Sequence, residues 1–370
     1  MPVTDPQLTT YTRVLHIRIK DKHAAFLRER ARDVNQVWNY DNALQIQVWR
    51  REQRFLSGYD FAEYTNGATK AGLALHSQTV QAVSEEYATR RKQAKKTRLR
   101  WRVSHGPKRS LGWIPFKKAA ISYRNGQLWL AGLDKPLCIW DSYDLSQYEL
   151  GAGNISEDSR GRWYINITVK RKAQAPQPGK GVIGIDLGLK DFAGFSEDAV
   201  PNVEAPKFYR DLEPKLAVAQ RANKKARVKA IHAKIANRRK DFLHKLSTQL
   251  VREYGAIFVG DVNASKLAKT GMAKSVLDAG WSAFRNMLQY KSDDAGSWVK
   301  IINEANSTRE CACCGKLTGP TGLAGLSVRE WVCSHCGARR PRDRNSAQVI
   351  KARGMVQLER CVANSQSTTP

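Results

Sequence analysis

The sequence GVIGIDLGLKDFAGFS, residues 181–196, predicts a short buried strand that ends in an acid at a turn. Val182 to Ile185 is apolar, Asp186 follows it, and Leu187-Gly188 turns the chain into a second strand, Phe192 to Phe195. A carboxylate at this position would be held on a rigid platform. A lone aspartate is also a common turn former. This stretch alone therefore leaves both a structural and a catalytic role open.

Two later stretches repeat the pattern of a strand followed by acids. In GAIFVGDVNASKL, residues 255–267, the apolar strand Ala256 to Val259 runs into Gly260 and Asp261. In WVKIINEA, residues 298–305, a further apolar strand ends close to Glu304. Each of these acids would be an exposed carboxylate beside the end of a buried strand, and the pattern alone leaves its role open.

The charge of the chain indicates a polyanionic partner. Its 370 residues include 62 Lys and Arg against 34 Asp and Glu, a net charge of +28. A folded chain this basic is typical of nucleic-acid binding, and a basic surface kept for solubility is the alternative. No apolar stretch approaches the ~18 residues that a membrane-spanning helix needs, and the N-terminus lacks a signal-peptide core. We expect a cytoplasmic, prokaryotic protein that joins the nucleoid when it binds DNA.

Cysteines cluster near the C-terminus in two Cys-x-x-Cys pairs separated by eighteen residues. Gly315 and Gly337 follow the pairs and allow the positive φ of a tight turn. Four thiolates on two such turns suit a structural Zn²⁺, and a redox pair is the alternative. Cys313 is spare, and His335 is expected to be exposed and not to ligate the metal. The predicted zinc ligands are Cys311, Cys314, Cys333 and Cys336.

The N-terminal half reads as strand, helices and then strands again. Residues 11–19 predict a strand and residues 22–95 are mostly helical in pattern, whereas residues 112–170 turn to strands. Within these, Asn125-Gly126 marks a hairpin, and RWYINITVK, residues 162–170, alternates as a half-buried strand does. Residues 171–181 read as a linker. These patterns predict a β-barrel interrupted by a helical insertion.

Two basic segments are candidate nucleic-acid surfaces. Arg90 to Arg109 holds ten Lys or Arg in twenty positions and no acid. A helix expected from about Leu212 to Tyr254 carries an apolar stripe on one face and basic residues on the other. Solvated surface is the alternative for both segments; the favoured interpretation is contact with phosphates. The residues singled out are Lys95, Lys96, Arg98, Arg100, Lys224, Lys225, Arg227, Lys234, Arg238 and Arg239.

The order of these motifs resembles that of the TnpB family. GIDLGLK, FVGDVNASKL, the four-cysteine ribbon and RDRNSA (residues 342–347) occur in the order found in these transposon-encoded RNA-guided nucleases, relatives of the type V CRISPR effectors. The helix HAKIANRRKDFLHKLSTQLVREY, residues 232–254, is also similar. The resemblance covers residues 181–355 well and the N-terminal half loosely.

The resemblance implies an α/β fold plus a β-barrel. The α/β part would be an RNase H or RuvC-like nuclease domain with a zinc-ribbon insertion, preceded by an N-terminal β-barrel that carries a helical insertion. The implied parts are a wedge-like barrel (1–20 and 100–172), a helical recognition insertion (21–99), the nuclease domain (181–308 and 338–356), the ribbon (309–337) and a disordered tail (357–370).

In such nucleases three carboxylates hold two Mg²⁺ ions, which clamp the attacking and leaving oxygens of a phosphodiester. Matching of motifs makes Asp186 the first acid and Asp343 the last. The family has a glutamate where this chain has Gly260. Glu304 could reach over the bare glycine from the neighbouring strand. Asp261 is a weaker alternative, because alternation along a strand turns it away, and a site without a third acid is also possible.

The resemblance thus implies an Mg²⁺-dependent, RNA-guided DNA endonuclease with one structural Zn²⁺. Its expected partners are a guide RNA from the same mobile element, with one protein chain per RNA, and double-stranded target DNA beside a short motif. Membranes are not expected partners. The alternative, kept open by Gly260, is an RNA-guided repressor of the same family that does not cut. A conventional DNA transposase is a third, weaker interpretation.

Overall fold

The computed structural model of the chain describes residues 10–172, 181–263, 273–322, 325 and 327–367, without the side chains of 361–367. It divides into two compact units, one spanning Thr10–Arg171 and the other running from Lys172 onward. The predicted linker lies largely outside the described residues. Within the described part of the chain, no helix combines the length and apolarity needed to cross a bilayer.

The N-terminal unit combines three helices with six strands. The helices are α1 (Ala24–Glu52), α2 (Asp60–Thr65) and α3 (Ser77–Ala94). The strands are β1 (Thr10–Arg18), β2 (Trp113–Phe116), β3 (Ile121–Arg124), β4 (Gln127–Leu130), β5 (Leu150–Glu157) and β6 (Trp163–Lys172). The helical and strand regions therefore fall where the sequence predicted them.

Local sequence patterns explain these strands. The β3–β4 hairpin turns at Asn125 and Gly126, whose φ angles of 50° and 73° suit the Asn-Gly turn predicted there. In β6, Trp163, Ile165, Ile167 and Val169 are buried, which confirms the predicted alternation. A four-stranded sheet has the order β1-β6-β5-β2, and β3–β4 forms a separate two-stranded sheet. Closure into a barrel stays a prediction.

The C-terminal unit contains seven strands and five helices among the described residues. The strands are β7 (Gly181–Leu187), β8 (Asp191–Phe195), β9 (Val203–Glu204), β10 (Tyr254–Gly260), β11 (Trp298–Ile302), β12 (Glu330–Val332) and β13 (Arg339–Pro341). The helices are α4 (Glu213–Arg221), α5 (Lys225–Glu253), α6 (Ala273–Ala279), α7 (Trp281–Ala295) and α8 (Arg342–Ser367).

The main sheet of this unit has the order β11-β10-β7-β8-β9 and lies between two helical layers. Strand β10 runs parallel to both β7 and β11, while β8 is antiparallel to β7. Apolar side chains on one face pack with α5, α6 and α7, and those on the other face pack with α8. Gly184 lets α8 approach closely, since a Cβ there would lie 2.2 Å from the carbonyl oxygen of Ala347.

Two boundaries differ from the sequence-based prediction. The helix expected from Leu212 to Tyr254 is broken between α4 and α5, where Asn223 adopts a left-handed φ of 53°. Asparagine tolerates this conformation, so the chain can turn there. Helix α8 runs to Ser367, past the predicted start of a disordered tail at residue 357. No Gly or Pro interrupts residues 355–367, which is consistent with a continuous helix.

Candidate active site and metal centre

Asp186 lies near the carboxyl end of β7, on the face of the sheet that packs against α8. The buried residues on either side of it, Ile185 and Leu187, point into the opposite layer, so alternation turns Asp186 towards α8. Its register partner in β8 is Gly194. The strand thus continues one residue beyond the acid that was expected to end it.

Asp343 belongs to the first turn of α8 and packs directly on Gly194. A Cβ on that glycine would lie 3.4 Å from the Cβ of Asp343 and 3.5 Å from its carbonyl oxygen. Because Gly194 pairs with Asp186, the bare glycine brings the acid of the helix next to the acid of the strand. Two acids 157 positions apart in the sequence, Asp186 and Asp343, are brought together here because Gly194 has no side chain.

Glu304 follows β11 and lies over Gly260, the last residue of β10. One of its carboxylate oxygens is 2.6 Å from the position that a Cβ on Gly260 would occupy. Gly260 and Ile302 are register partners in the parallel ladder, so Glu304 stands two residues beyond that pair. The structure therefore places the acid where the sequence analysis expected it, on the α8 face of the sheet.

The three acids influence one another electrostatically. Burial, reinforced by the charges of Glu304 and Asp343, raises the pKa of Asp186 to about 8, although the Ser346 hydroxyl and Arg342 oppose the shift. Burial also raises the pKa of Glu304, with the Asp261 charge adding to the effect and Arg285 opposing it. Clustered carboxylates that resist ionisation indicate a site whose charge is incomplete without a cation.

The donor set fits a hard divalent cation. Carboxylate oxygens are the ligands that Mg²⁺ prefers, and it keeps several waters besides. The three acids do not form a single tight ligand group; in the part of the chain that the structure describes, only the four thiols have ligand atoms all within 4.8 Å of one another.

The four predicted zinc ligands converge with tetrahedral spacing. The sulfurs of Cys311 and Cys336 are 3.7 Å apart, as are those of Cys314 and Cys333. A Zn–S bond of about 2.3 Å in a tetrahedron requires sulfurs about 3.8 Å apart. These cysteines can therefore hold one metal ion. Cys313 lies outside the cluster and His335 is exposed.

The two cysteine turns repeat the same hydrogen bonds. Gly315 donates to the carbonyl of Cys311 at 2.8 Å, and Gly337 donates to that of Cys333 at 2.9 Å. Both glycines have φ near 70°, which confirms the predicted need for positive φ. The Thr318 hydroxyl donates to the sulfur of Cys333 at 3.1 Å. A charged thiolate at Cys333 is thus already stabilised by the fold.

The cysteine cluster is tied to the helix that carries Asp343. The side chain of Asn345 accepts from the N–H of Ala312, between two of the cysteines, at 2.9 Å and donates to the carbonyl of Glu310 at 2.7 Å. Arg353 pairs with the Glu310 carboxylate at 2.5 Å. The base of the ribbon is therefore fixed to α8 within two residues of Asp343.

Asp261 occupies a different place from the three acids. Its backbone N–H donates to the carbonyl of Ile302 at 2.9 Å. Its carboxylate accepts from the backbone N–H of Glu304 at 3.0 Å. Asp261 therefore contacts the chain that carries Glu304, while Glu304 itself covers Gly260.

In the N-terminal unit, the predicted basic segment begins as the last turn of α3 and continues from Lys95 as an extended strap along α1. Asn42 binds both the N–H and the carbonyl of Leu99, and Asn39 does the same for Arg102. These amides fix the backbone and leave the predicted side chains facing solvent. The exposed basic residues are Lys95, Lys96, Arg98 and Arg100, with Trp101, 48% exposed, beside them.

On α5, the predicted basic residues are exposed with one exception. Lys224, which precedes the helix, and Lys225, Arg227, Lys234 and Arg238 face solvent. Arg239 instead donates to the carboxylate of the buried Asp278 at 2.6 Å and to its carbonyl at 2.7 Å. Its guanidinium holds α6 against α5, so Arg239 has a structural partner, and its contact with phosphates stays a prediction.

Sequence reasoning did not identify the supporting residues. Ser346 acts on Asp186 and its hydroxyl lies 2.8 Å from that of Ser307, and both serines are buried. Asn345 anchors the ribbon. These two α8 residues belong to the RDRNSA motif already quoted, and their small polar side chains at a helix start were the available signal. No sequence signal pointed to the Asp278–Arg239 ion pair.

Comparisons with known proteins agree with this architecture. Residues 164–271 match the OrfB_IS605 family, described as "Probable transposase", and residues 281–350 match the "Cas12f1-like, TNB domain" family. A candidate RNA-guided DNA endonuclease of Streptomyces pristinaespiralis is 36% identical over 263 residues, 67% of this chain and 64% of the relative. InsQ of Escherichia coli (strain K12), also a candidate RNA-guided DNA endonuclease, is 29% identical over 262 residues, 62% and 64% of the two chains.

The matched region thus spans about 64% of the length of each relative. Among solved structures, Cas12f1 in complex with a guide RNA and target DNA superposes with a TM-score of 0.58 at 10% identity, over 92% of this chain and 99% of that one. At this identity the likeness concerns the fold alone.

Proposed function

We propose that the chain is a member of the TnpB family and an RNA-guided DNA endonuclease of a mobile element. It would cleave target DNA by phosphodiester hydrolysis at a guide-matched site beside a short DNA motif. The names of its relatives and its net charge of +28 support a nucleic-acid substrate. When a guide RNA selects the target by base pairing, the protein needs to contact the sugar-phosphate backbone of the nucleic acid more than its bases.

The C-terminal unit is proposed to be a RuvC-like nuclease domain of the RNase H type, over residues 181–308 and 338–356, with the ribbon at 309–337 inserted. Support comes from the order of its sheet and from the acids on one face. Asp186, Glu304 and Asp343 come from three separate elements and gather on the α8 side of the sheet. Because each acid is positioned by a different strand or helix, the site does not depend on the conformation of a single loop.

One observation carries the proposal that the site is complete: the carboxylate of Glu304 lies over Gly260. The acid that the family places at position 260 is missing, and another acid occupies the same space from the neighbouring strand. A repressor that had lost cleavage would have no need of a replacement. This favours the nuclease over the non-cutting alternative.

Asp186, Glu304 and Asp343 would hold two Mg²⁺ ions. When bound, these ions would polarise the phosphate and stabilise charge on the attacking and leaving oxygens. Two glycines make room for these acids: the missing side chain of Gly194 lets Asp343 lie beside Asp186, and that of Gly260 leaves space for Glu304. The buried Ser346 hydroxyl and Arg342 both favour the charged form of Asp186.

The cysteine cluster would hold one structural Zn²⁺, because its sulfur spacing and four-thiolate composition match that ion. Its contribution would be to fix the start of α8. The hydrogen bonds of Asn345 to Ala312 and Glu310 link the ribbon to the helix within two residues of Asp343. The ribbon would thereby set where that acid enters the site.

The exposed basic residues are proposed to contact sugar-phosphate backbone. On α5 this surface comprises Lys224, Lys225, Arg227, Lys234 and Arg238, and on the strap Lys95, Lys96, Arg98 and Arg100. The partners would be a guide RNA, one chain to each, and double-stranded target DNA. The N-terminal unit, as a wedge-like barrel (1–20 and 100–172) with a helical insertion (21–99), would recognise the DNA motif.

The test is to purify the chain expressed with its native flanking DNA, sequence the RNA that remains bound, and offer plasmids carrying a matched target beside a randomised motif. The expected result is Mg²⁺-dependent cutting of a subset of plasmids that share one motif. Treating the purified protein with RNase before the plasmids are added should abolish this cutting. A preparation free of RNA that still cuts a defined site would overturn the guide. Tight binding of the matched target without cutting would favour the repressor.

A further inference from the structure

Asp261 makes two contacts with the segment that carries Glu304. Its N–H donates to the carbonyl of Ile302 at 2.9 Å and extends the parallel ladder by one bond beyond Gly260. Its carboxylate oxygen accepts from the N–H of Glu304 at 3.0 Å. One residue therefore holds the backbone on both sides of Asn303.

The geometry separates this role from that of a metal ligand. Alternation along β10 places Gly260 on the α8 face, where the three acids gather, and turns Asp261 away from it. One carboxylate oxygen of Asp261 already accepts a hydrogen bond from the backbone N–H of Glu304. Of the acids near Asp186, those whose charges act on it are Glu304 and Asp343.

Glu304 needs such support because it stands just beyond the end of a strand. After Ile302 no ladder bond from β11 remains to hold it. Arg353 binds the carbonyl of Asn303 at 2.7 Å, and the turn that follows closes with Ser307 donating to the carbonyl of Glu304 at 2.9 Å. Both of these hydrogen bonds hold carbonyl groups of the segment. The N–H of Glu304 is instead held by the carboxylate of Asp261.

We propose that Asp261 is a positioning residue, whose carboxylate fixes the backbone of Glu304 so that its side chain reaches over Gly260. The inference rests on the proposed nuclease function. It also gives the aspartate after the missing glutamate a role of its own: it joins β10, which lacks the acid, to the segment that supplies it.

Asparagine and alanine at this position distinguish positioning from ligation. Asp261→Asn keeps an oxygen that accepts the N–H of Glu304 but removes the negative charge, whereas Asp261→Ala removes both. A positioning residue should be rescued by asparagine. If Asp261 were a metal ligand, both variants should lose cleavage equally, because an amide is a much poorer ligand for Mg²⁺ than a carboxylate.

Two measurements on the RNA-bound protein test this, with Asp241→Ala, which removes an exposed carboxylate of α5, as the control. The first is hydrogen exchange at the amide of Glu304, by mass spectrometry with residue-level fragmentation. We expect about tenfold faster exchange in Asp261→Ala and near-normal exchange in Asp261→Asn. The second is the rate of cleavage of matched DNA, expected to fall at least about tenfold in Asp261→Ala and less than about threefold in Asp261→Asn.

The outcomes separate failure of this inference from failure of the proposed function. Equal loss of cleavage in both variants with unchanged exchange would make Asp261 a ligand and overturn the inference. Unchanged exchange and cleavage in Asp261→Ala would also overturn it. If the wild type does not cut at all, the proposed function fails, but exchange at Glu304 still decides whether Asp261 holds that backbone.

Discussion

A carboxylate oxygen of Glu304 lies 2.6 Å from the point that a Cβ on Gly260 would occupy. Real Cβ atoms do not approach other atoms this closely, so the glutamate and the absence of a side chain at 260 depend on each other. The space above the last residue of β10 is filled by an acid that follows the neighbouring strand β11. This relationship makes position 260 a sensitive probe of the site.

Gly260→Ala should therefore inactivate the site without unfolding the domain. The new methyl group displaces the far end of a flexible side chain, which is cheap, but it moves the carboxylate that the proposed chemistry needs. We expect cleavage to fall at least about tenfold, since comparable displacements around metal sites cost about 10–100-fold. The melting temperature should change by only a few degrees. Cleavage of matched plasmid and thermal unfolding are the measurements.

Gly181→Ala is the matched control for this change. It lies on the same sheet, and its added Cβ would stand 3.4 Å from the ring of Tyr254, an ordinary contact. Cleavage by this variant should stay near wild type. Full activity in Gly260→Ala would show that Glu304 does not need the space above the glycine and contributes no ligand.

Removing a single charge from the acids should stop cleavage while target binding persists. Asp186→Asn, Glu304→Gln and Asp343→Asn keep the shape of each side chain but lose a metal ligand. Because changes in residues that only support ligands already cost about 10–100-fold, we expect at least roughly a hundredfold loss from each. Binding of matched DNA, followed by gel shift, should remain within about threefold.

Asp241→Asn, an exposed carboxylate on α5, is the control for these three variants and should cut normally. A Glu304→Gln variant that cuts at the wild-type rate while the two aspartate variants are inactive would remove Glu304 from the site and leave a two-acid centre.

The sequence could predict those parts of the fold that depend on short-range chemistry. The Asn125-Gly126 hairpin, the alternation of β6 and the two cysteine turns follow from local backbone preferences, and they occur as predicted. The meeting of Asp343 with Asp186 depends instead on Gly194, a residue whose only signal is the absence of a side chain. The partner of Arg239 was not predictable either, because Asp278 approaches it only once α6 has packed on α5.

Cys333→Ser should reduce both metal content and cleavage. A structural zinc site contributes on the order of 10 kcal/mol in small peptides, so loss of one of four thiolates should loosen the ribbon and the start of α8. Zinc measured by atomic emission should fall well below one ion per chain. Binding of the guide RNA should persist, because the basic residues of α5 and of the strap lie outside the ribbon.

Cys313→Ser provides the comparison, since that cysteine is exposed and outside the cluster. It should keep one zinc ion and full activity. Zinc lost from Cys313→Ser and kept in Cys333→Ser would show that the ligand set has been misassigned.

Asp41 should make the N-terminal unit less stable as the pH rises. It is fully buried in α1, and burial raises its pKa from 3.8 to about 7, although the Ser84 hydroxyl partly opposes the shift. A carboxyl whose folded pKa is raised favours folding in its protonated form. The contribution of Asp41 to stability is therefore most favourable below about pH 4, falls progressively between about pH 4 and pH 7, and is lower by roughly 4 kcal/mol above that range.

Asp41→Asn removes this titration and should stabilise the chain at pH 8 but not at pH 4. Urea unfolding of wild type and variant at both values measures the difference, and Asp134→Asn, on an exposed loop, is the control. Equal effects of Asp41→Asn at pH 4 and pH 8 would show that Asp41 ionises in the folded chain as easily as in the unfolded one.

Lys234→Ala and Arg239→Ala should separate two roles of positive charge on one helix. Lys234 is exposed, so its loss should weaken RNA binding and reduce the log–log salt slope by roughly 0.7–0.9, the value for one phosphate contact. Arg239 holds the buried carboxylate of Asp278, and its loss should lower the free energy of unfolding by on the order of 2 kcal/mol. Filter binding between about 50 and 300 mM salt, a range of about 0.8 log units, and urea unfolding are the two measurements. A reduced salt slope in Arg239→Ala with unchanged stability would mean that its ion pair with Asp278 opens when RNA binds, and would return Arg239 to the phosphate-contacting surface.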